Sequence, residues 1–522
     1  MKTKYLILLS CILANIFIAI SCKEKEEDLG TPRLFKPQVT GVDNTVDNQL
    51  TVYWLPAEGV AQYQIDLATD SLFTNIEKTE TVDKTVSSLI LTELKGATKY
   101  FIRIKAINTD PLYSSKDRIV PSVTHSIFLN NPVFVLDNAF IAKWTVKGNP
   151  VTKVKVFNSI FSKEFDVTTS EAQQGLKTVS GFKGDTQYTV ELYSGNLIRG
   201  MGLVTTKTSI KNSIDLRDID PIIRDKVFND TISKVPGGSV IVLKRGETYN
   251  LTATKALDKS ISFVSGYSFQ PDLATIKVAK NLTFLEGSRV GKVAFTDLNI
   301  TGSTNGAFLI VVQLTSCNVD TIAFNGCHVS TFRGGIRLRG SEIIDKVLVN
   351  NCLIDSTSDY GFISLKDAAT NIIKNISVKN STVYRSRRFI AASKYLPNTA
   401  QTTTIENCTF YDAPYVGNNL VEFPTDATMK ANVTIKNCIL GKAGSPPPAV
   451  PAAAFKYGAT LSFDVGASNY ITSDFYFMGN MLPTSYSGTS TDLFLDPKHF
   501  DFTIKDAGFS GKNTAGDPRW RK

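Results

Sequence analysis

The chain has 522 residues, 42% of them hydrophobic and 20% charged, and a formal net charge of +9. That length suits about three domains, and the composition can fill sizeable cores, which excludes wholesale disorder; there is no acidic or basic tail. Lys2 and Lys4 precede an apolar run from Tyr5 to Ile20, shorter than the ~20 apolar residues that span a bilayer. A basic start followed by a short apolar stretch is the pattern of a secretory signal. Beyond it Val, Ile, Thr, Phe and Tyr recur in short runs broken by Gly, Asn and Asp. With no sustained 3.6-residue periodicity, the expectation is an all-β protein.

The apolar run ends in Ala19-Ile20-Ser21-Cys22, which resembles the lipobox of bacterial lipoproteins; Ala19 stands where such boxes usually place Leu. Lys23 to Asp28 (KEKEED) resembles the acidic surface-export tag of lipoproteins from glycan-degrading Gram-negative bacteria. The resemblance implies a signal peptide over 1–21, lipidation of Cys22, an acidic tether over 22–31, and attachment to the outer membrane facing outward. Buried lipid chains at about 0.8 kcal/mol per CH₂ would supply the anchoring. The alternatives are an uncleaved membrane anchor and a solvated charge run that carries no address. Loss of Lys2 and Lys4 with the signal leaves +7. Mild positive charge on an exported protein favours uronate or sulfated glycans over nucleic acid as partners, although it commonly serves only solubility.

Residues 32–124 are expected to form one domain. Trp54 lies in an alternating strand (QLTVYW), a second strand follows around Tyr63, and Leu94 to Asn108 reads LKGATKYFIRIKAIN. This run resembles the fibronectin type III signature, which implies that Leu94 packs below a turn and Tyr100 bonds back to the backbone. Ile102, Ile104 and Ala106 would then point inward. A second copy over 125–208 carries Trp144 in FIAKWTV and Phe182 and Tyr188 in GFKGDTQYTVELY. Both Trp residues are expected in the cores rather than as sugar platforms.

Residues 209–522 follow another rule. Val235 to Tyr249 (VPGGSVIVLKRGETY) resembles the opening coil of pectin-lyase-like β-helices, implying a right-handed parallel β-helix. The segments FNGCHV, VNNCLI, VKNSTV, IENCTF and IKNCIL align Cys327, Cys352, Ser381, Cys408 and Cys438. FTDLNI places Leu298 in the same register. A repeat in the twenties with small or apolar residues in one column means stacked coils, with the thiols inward as small hydrophobes. Five cysteines beyond Cys11 and Cys22, Cys317 among them, are an odd set, which argues against a disulfide framework. Asn351, Asn380, Asn407 and Asn437 suit the adjoining tight turn. A second column aligns Ile336, Ile363, Ile390 and Val421, so alternation should send Arg337, Ser364, Ala391 and Glu422 outward, with Arg339, Lys366 and Ser393 in the next row. Gly444 to Ala454 (GSPPPAVPAAA) reads as a loop between coils, and Trp520 is expected to cap the last coil.

Cations one coil apart form a track along which an extended acidic polysaccharide can lie. The expected contacts are Arg333, Arg337, Arg339, Tyr360, Lys366, Arg388, Lys394, Tyr395 and Glu422, with Arg holding carboxylate or sulfate and Tyr stacking on sugar. Arg385 and Arg387 lie in nearby turns. The whole layout resembles surface lipoproteins of polysaccharide-utilisation systems, which implies a glycan-binding or glycan-presenting role beside other glycan-uptake surface proteins, and no cofactor. Two alternatives remain. One is a polysaccharide lyase: Lys366 and Arg388 have a spacing similar to the Lys–Arg pair of chondroitinase B and alginate lyases, and Asp355, Asp359 and Glu422 are then the residues to hold Ca²⁺. Those lyases carry Arg-His-Gly where this chain has Arg387-Arg388-Phe389. The other is an adhesin-like structural protein. Hydrolase chemistry lacks its clustered Asp residues.

Overall fold

The structure, a computed structural model, describes residues 32–129, 134–313, 316–425, 430–446, 453–456, 462–465, 468–477 and 484–522. The expected signal, Cys22 and the acidic tether lie outside the described residues. The chain divides into two compact units, Met1–Ser209 and Ile210–Lys522.

The first unit holds two antiparallel β-sandwiches. In the first, strands Gln38–Asp43, Leu50–Leu55 and Ser88–Leu91 form one sheet, and Ile76–Asp83, Gln62–Ala68, Lys99–Ile107 and Arg118–Val123 form the other. Strand Lys99–Ile107 alternates strictly, burying Tyr100, Ile102, Ile104 and Ala106. Trp54 is buried, its ring 5.4 Å from that of Tyr63. The Tyr100 hydroxyl accepts the backbone N–H of Lys95 at 3.1 Å, closing the tyrosine corner. The second sandwich pairs the sheet of Ser162–Asp166, Lys153–Phe157, Gln187–Ser194 and Leu197–Thr205 with that of Leu176–Ser180, Ala139–Trp144 and Phe128–Leu129. Its corner is made by Tyr188, which accepts the N–H of Lys183 at 3.0 Å, and Trp144 is again buried. Both sandwiches are therefore fibronectin type III-like, with tryptophan in the core.

Arg199 joins the sandwiches. Its side chain is buried and donates from Nε to Asn48 (3.1 Å), from Nη2 to Asp47 (3.3 Å) and to the Lys147 carbonyl (2.9 Å), and from Nη1 to the Asn149 carbonyl. Gly96 lets the strands meet there: its N–H donates to the Ile198 carbonyl at 2.8 Å, and a Cβ would stand 2.4 Å from the Arg199 oxygen.

The second unit is a parallel β-helix with three faces. The first face stacks ten parallel strands from Ser213–Asp215 to Ser462–Val465. The second runs from Thr248–Leu251 to Thr484–Ser485, and the third from Lys255–Leu257 to Phe455–Lys456. The second and third merge into one 16-stranded sheet because His328–Leu338 and Leu353–Ser364 run unbroken around the corner. Each rung buries an alternating set of side chains, and stacked like residues fill the interior. Phe263, Phe295 and Phe324 lie face to face at 5.3 and 5.0 Å, within 9° of parallel.

The turn from first to second face repeats one backbone conformation. Asp297, Gly326, Asn351, Asn380, Asn407 and Asn437 all have φ between 50° and 65°, a region that Gly and Asn enter at least cost. Asn350 donates to Asn325 (2.9 Å), Asn380 to Asn350 (3.0 Å) and Asn407 to Asn380 (3.2 Å), an amide ladder across rungs. The residue after each left-handed turn points inward: Cys327, Cys352, Ser381, Cys408 and Cys438 are buried in register. The column continues to Asn469, whose Oδ1 accepts the N–H of Cys438 at 2.8 Å. Cys317 does not belong to it. It sits opposite Glu342 on the first face, so the ladder explains four of the five unpaired thiols.

Two features depart from expectation. Helix Arg224–Lys234 covers the first rungs with Phe228 and Ile232, one helical turn apart, and Phe228 packs on Tyr249 and Phe263. Three apolar residues in eleven, Val227 among them, are too few to show as periodicity. Trp520 does not cap the last coil. The segment from Ser490 to the C-terminus lies along the second face, where Trp520 Nε1 donates to Thr382 (2.8 Å), Arg519 to Asn351 (3.0 Å) and Arg521 to Asn407 (3.2 Å). Tyr384, Tyr411 and Ile439 form a second hydrophobic cluster with Phe494 and Phe502 beneath it.

Candidate functional site

Register on the third face fixes which side chains share a row. Val311, Arg337, Ser364, Ala391, Glu422 and Lys456 are paired rung by rung, at about 4.8 Å per rung. Their chain neighbours Leu338, Leu365, Ala392 and Phe423 belong to the core, so this row points outward.

Arg337 makes a bidentate pair with Asp367, Nε to Oδ2 at 2.8 Å and Nη2 to Oδ1 at 3.0 Å, and Nη2 also donates to the Tyr360 hydroxyl at 3.0 Å. Burial works to raise the Asp367 carboxyl, but the Arg337 hydrogen bonds and charge outweigh it and hold the group below its ordinary range. Arg333 and Arg387 both pair with Asp359, whose carboxyl is lowered chiefly by the Arg387 hydrogen bond. Arg388 (2.8 Å) and Lys456 (3.2 Å) share the buried carboxylate of Glu422. Lys394 donates to the Asp367 carbonyl at 3.1 Å, and Arg339 adds charge beside the same carboxylate.

Tyr360 organises these cations rather than standing free. The Arg337 guanidinium lies 3.9 Å and the Lys366 ammonium 4.1 Å from its ring centroid, with Arg333 at 5.2 Å and Phe308 edge-on at 5.4 Å. Cations at such distances already occupy the ring surface on which a sugar would stack. Lys366 also donates to the Asp359 carbonyl at 3.1 Å. Burial first, and the Arg388 charge second, lower its ammonium below the usual lysine value.

Five residues singled out from the sequence fall differently. Tyr395 is a core residue whose hydroxyl donates to the Ile373 carbonyl, so it offers nothing outside. Simple alternation would put it outside with Ser393, but the chain bends after the exposed Ser393 and Lys394 and turns it inward. Arg385 lies on the corner between second and third faces at φ 48°, pairs with buried Asp355 and covers the Phe500 ring at 4.0 Å. Asp355, Asp359 and Glu422 are not gathered into one cluster. Each is held by its own guanidinium, and no group of three metal-capable side chains occurs among the described residues. Conversely, sequence reasoning passed over Asp367 and Lys456. Asp367 follows Lys366 directly and lies thirty residues after Arg337, one coil on, which was a usable signal. Lys456 was hidden by the long insertion before it.

Two clefts lie away from this face. One of about 340 Å³ is lined by Trp144, Pro150 and Gln173 in the second sandwich, and one of about 430 Å³ by Arg245, Tyr267 and Lys292 on the first solenoid face.

Fold and face together define a protein with fibronectin type III-like sandwiches and a parallel β-helix that bears a cation-rich outer sheet. Residues 247–386 match a family described as a domain of unknown function (DUF4957), and residues 403–520 match another described in the same way (DUF5123). Among solved structures, the chain is similar to the fibronectin type III domain of the human collagen alpha-1(XX) chain, at 24% identity over 18% of this chain and 89% of that one, TM-score 0.16. It is also similar to the two-domain fibronectin type III segment of chicken tenascin, at 15% identity over 33% and 99%, TM-score 0.18. No curated protein matches the chain.

Proposed function

We propose that the protein is a surface lipoprotein that binds an acidic polysaccharide along the third face of its β-helix. The observation that carries this is the charge balance: Arg333, Arg337, Arg339, Lys366, Arg387, Arg388, Lys394 and Lys456 surround only Asp359, Asp367 and Glu422. Those carboxylates hold the cations apart and in place, and the surplus attracts an anionic chain. A row repeating once per rung suits a linear polymer lying along the stack better than a compact molecule in a hole. The double substitution Arg337→Ala with Arg339→Ala should abolish retention on immobilised polygalacturonate or chondroitin sulfate. Each guanidinium–anion contact is worth about tenfold or more in affinity. Undiminished retention would remove the reading.

A second reading rests on Lys366. An amine whose proton affinity is lowered, next to Arg388, suits β-elimination at a uronate. Lys366 Nζ would take the C5 proton, the bond from C4 to the leaving oxygen would break as that oxygen takes up the proton from Lys366, and a C4=C5 double bond would form while Arg388 neutralises the carboxylate. The expected result is new absorbance from unsaturated uronate with pectin, alginate or a glycosaminoglycan, lost in Lys366→Ala. Silence across that panel retires the lyase and leaves the binder.

A further inference from the structure

We infer that Ser364 and Ala391 form the floor of a subsite that takes one anionic group of the polysaccharide, a uronate carboxylate or a sulfate ester; this rests on the acidic-glycan reading above. The two residues stand on successive rungs, with Arg337 one rung before and Glu422 one rung after. Long charged side chains at both ends and small ones between them make a notch about 10 Å long at the rung spacing of a sheet. Both point away from the core, yet both are fully buried. The ends of the neighbouring cations therefore lie over them. Arg388 runs past Gly361, where a Cβ would come within 3.1 Å of the Arg388 Cβ, and reaches Glu422, while Lys366 senses the Arg388 charge beside it.

The Ser364 hydroxyl is the group that points to a ligand. Its oxygen is buried and hydrogen-bonds to no described residue, an unfavourable state for a polar group taken from water. An anion oxygen in the notch would accept its proton. The roof can turn to meet that anion because its members are held by replaceable contacts. Glu422 keeps Lys456 when Arg388 leaves it, and Lys366 gives up one carbonyl and its contact with the Tyr360 ring. The exchange swaps one carboxylate partner for another without stranding a buried charge.

The test uses the full-length protein and calorimetric titration with polygalacturonate and with chondroitin sulfate, alongside carboxyl-reduced forms of both and desulfated chondroitin. Ser364→Ala should weaken binding about tenfold, the value of one hydrogen bond to a charged group. Ala391→Leu, which fills the notch, should weaken it more, and Ser364→Ala, which removes the unpartnered hydroxyl, should not lower the melting temperature. The polymer whose affinity falls on carboxyl reduction or desulfation identifies the anion. Wild-type binding with Ser364→Ala equal to it overturns the subsite and leaves the broader reading standing. Absence of wild-type binding to either polymer overturns both. If Ala391→Leu does not fold, Ser364→Ala alone decides.

Discussion

Glu342→Gln is expected to leave stability almost unchanged at pH 5 and to raise it by about 3 kcal/mol at pH 8. Glu342 is fully buried at the corner where the third face passes into the first. Its Oε1 accepts the Gly340 N–H at 2.7 Å, whereas Oε2 has no partner. Cys317 faces it from the rung before. By register Asn371 stands on the rung after, its own Oδ1 unpartnered, and Arg339 lies three residues upstream with its charge beside Asp367. Burial pushes the carboxyl up to about 7 from its ordinary 4.5. The folded state therefore holds this proton more tightly than the unfolded chain does. Its contribution is complete below pH 4.5, declines as pH rises, and is gone above about 7. Glutamine has the same shape and no proton to lose, so the advantage of the substitution appears only as the wild type begins to pay for a buried charge. Thermal melts of both proteins at pH 5 and pH 8 measure it. An equal difference at the two pH values would mean that the carboxyl is ionised throughout.

Arg199→Met should cost the first unit about 3–5 kcal/mol, the range for breaking a buried ion pair from one side. The guanidinium satisfies two side chains and two carbonyls at the joint between the sandwiches. Methionine replaces its stem but none of its donors. Asp47 would keep only His125, at 2.7 Å, and the Lys147 and Asn149 carbonyls would lose a partner. Asn48, which bridges to the Ile198 carbonyl at 2.7 Å, would lose the group that orients it. Chemical denaturation followed by Trp54 and Trp144 fluorescence reads the loss. A midpoint equal to wild type would show that packing alone holds the joint.

The fold was legible because its signals are local and repeated. The tyrosine corners need only a Tyr five residues after the amide it caps, as in Lys95–Tyr100 and Lys183–Tyr188. The rungs declare themselves by an Asn or Gly at each left-handed turn, followed by a small inward residue, and two-residue alternation then assigns faces along every strand. Cys317 escaped this logic because it has no Asn before it and falls on another face. Helix Arg224–Lys234 escaped because its buried side mixes Phe228 and Ile232 with Arg224 and Asn229.

The candidate site was legible only as a row. Alternation placed Arg337 and Glu422 outside, but it could not say that Arg337 would reach the Tyr360 hydroxyl, nor that every nearby carboxylate would be claimed by a guanidinium. Those contacts join residues 23 to 34 positions apart, and coil lengths vary enough that neither the partner nor the angle of a long side chain is set by its own strand. Tyr395 turned inward for the same reason, a matter of where its rung bends.

Chain order and residue type alone therefore determined the two sandwiches, the stacked coils, their register and the direction of each strand residue. These follow from sterics and burial within a few positions of the chain, repeated rung after rung. Tertiary structure alone decided the pairing of charges on the third face, the covered notch at Ser364 and Ala391, and the path of the C-terminal segment along the second face to Trp520. Each of these depends on distant segments meeting at hydrogen-bond range, where a shift of one ångström changes the partner.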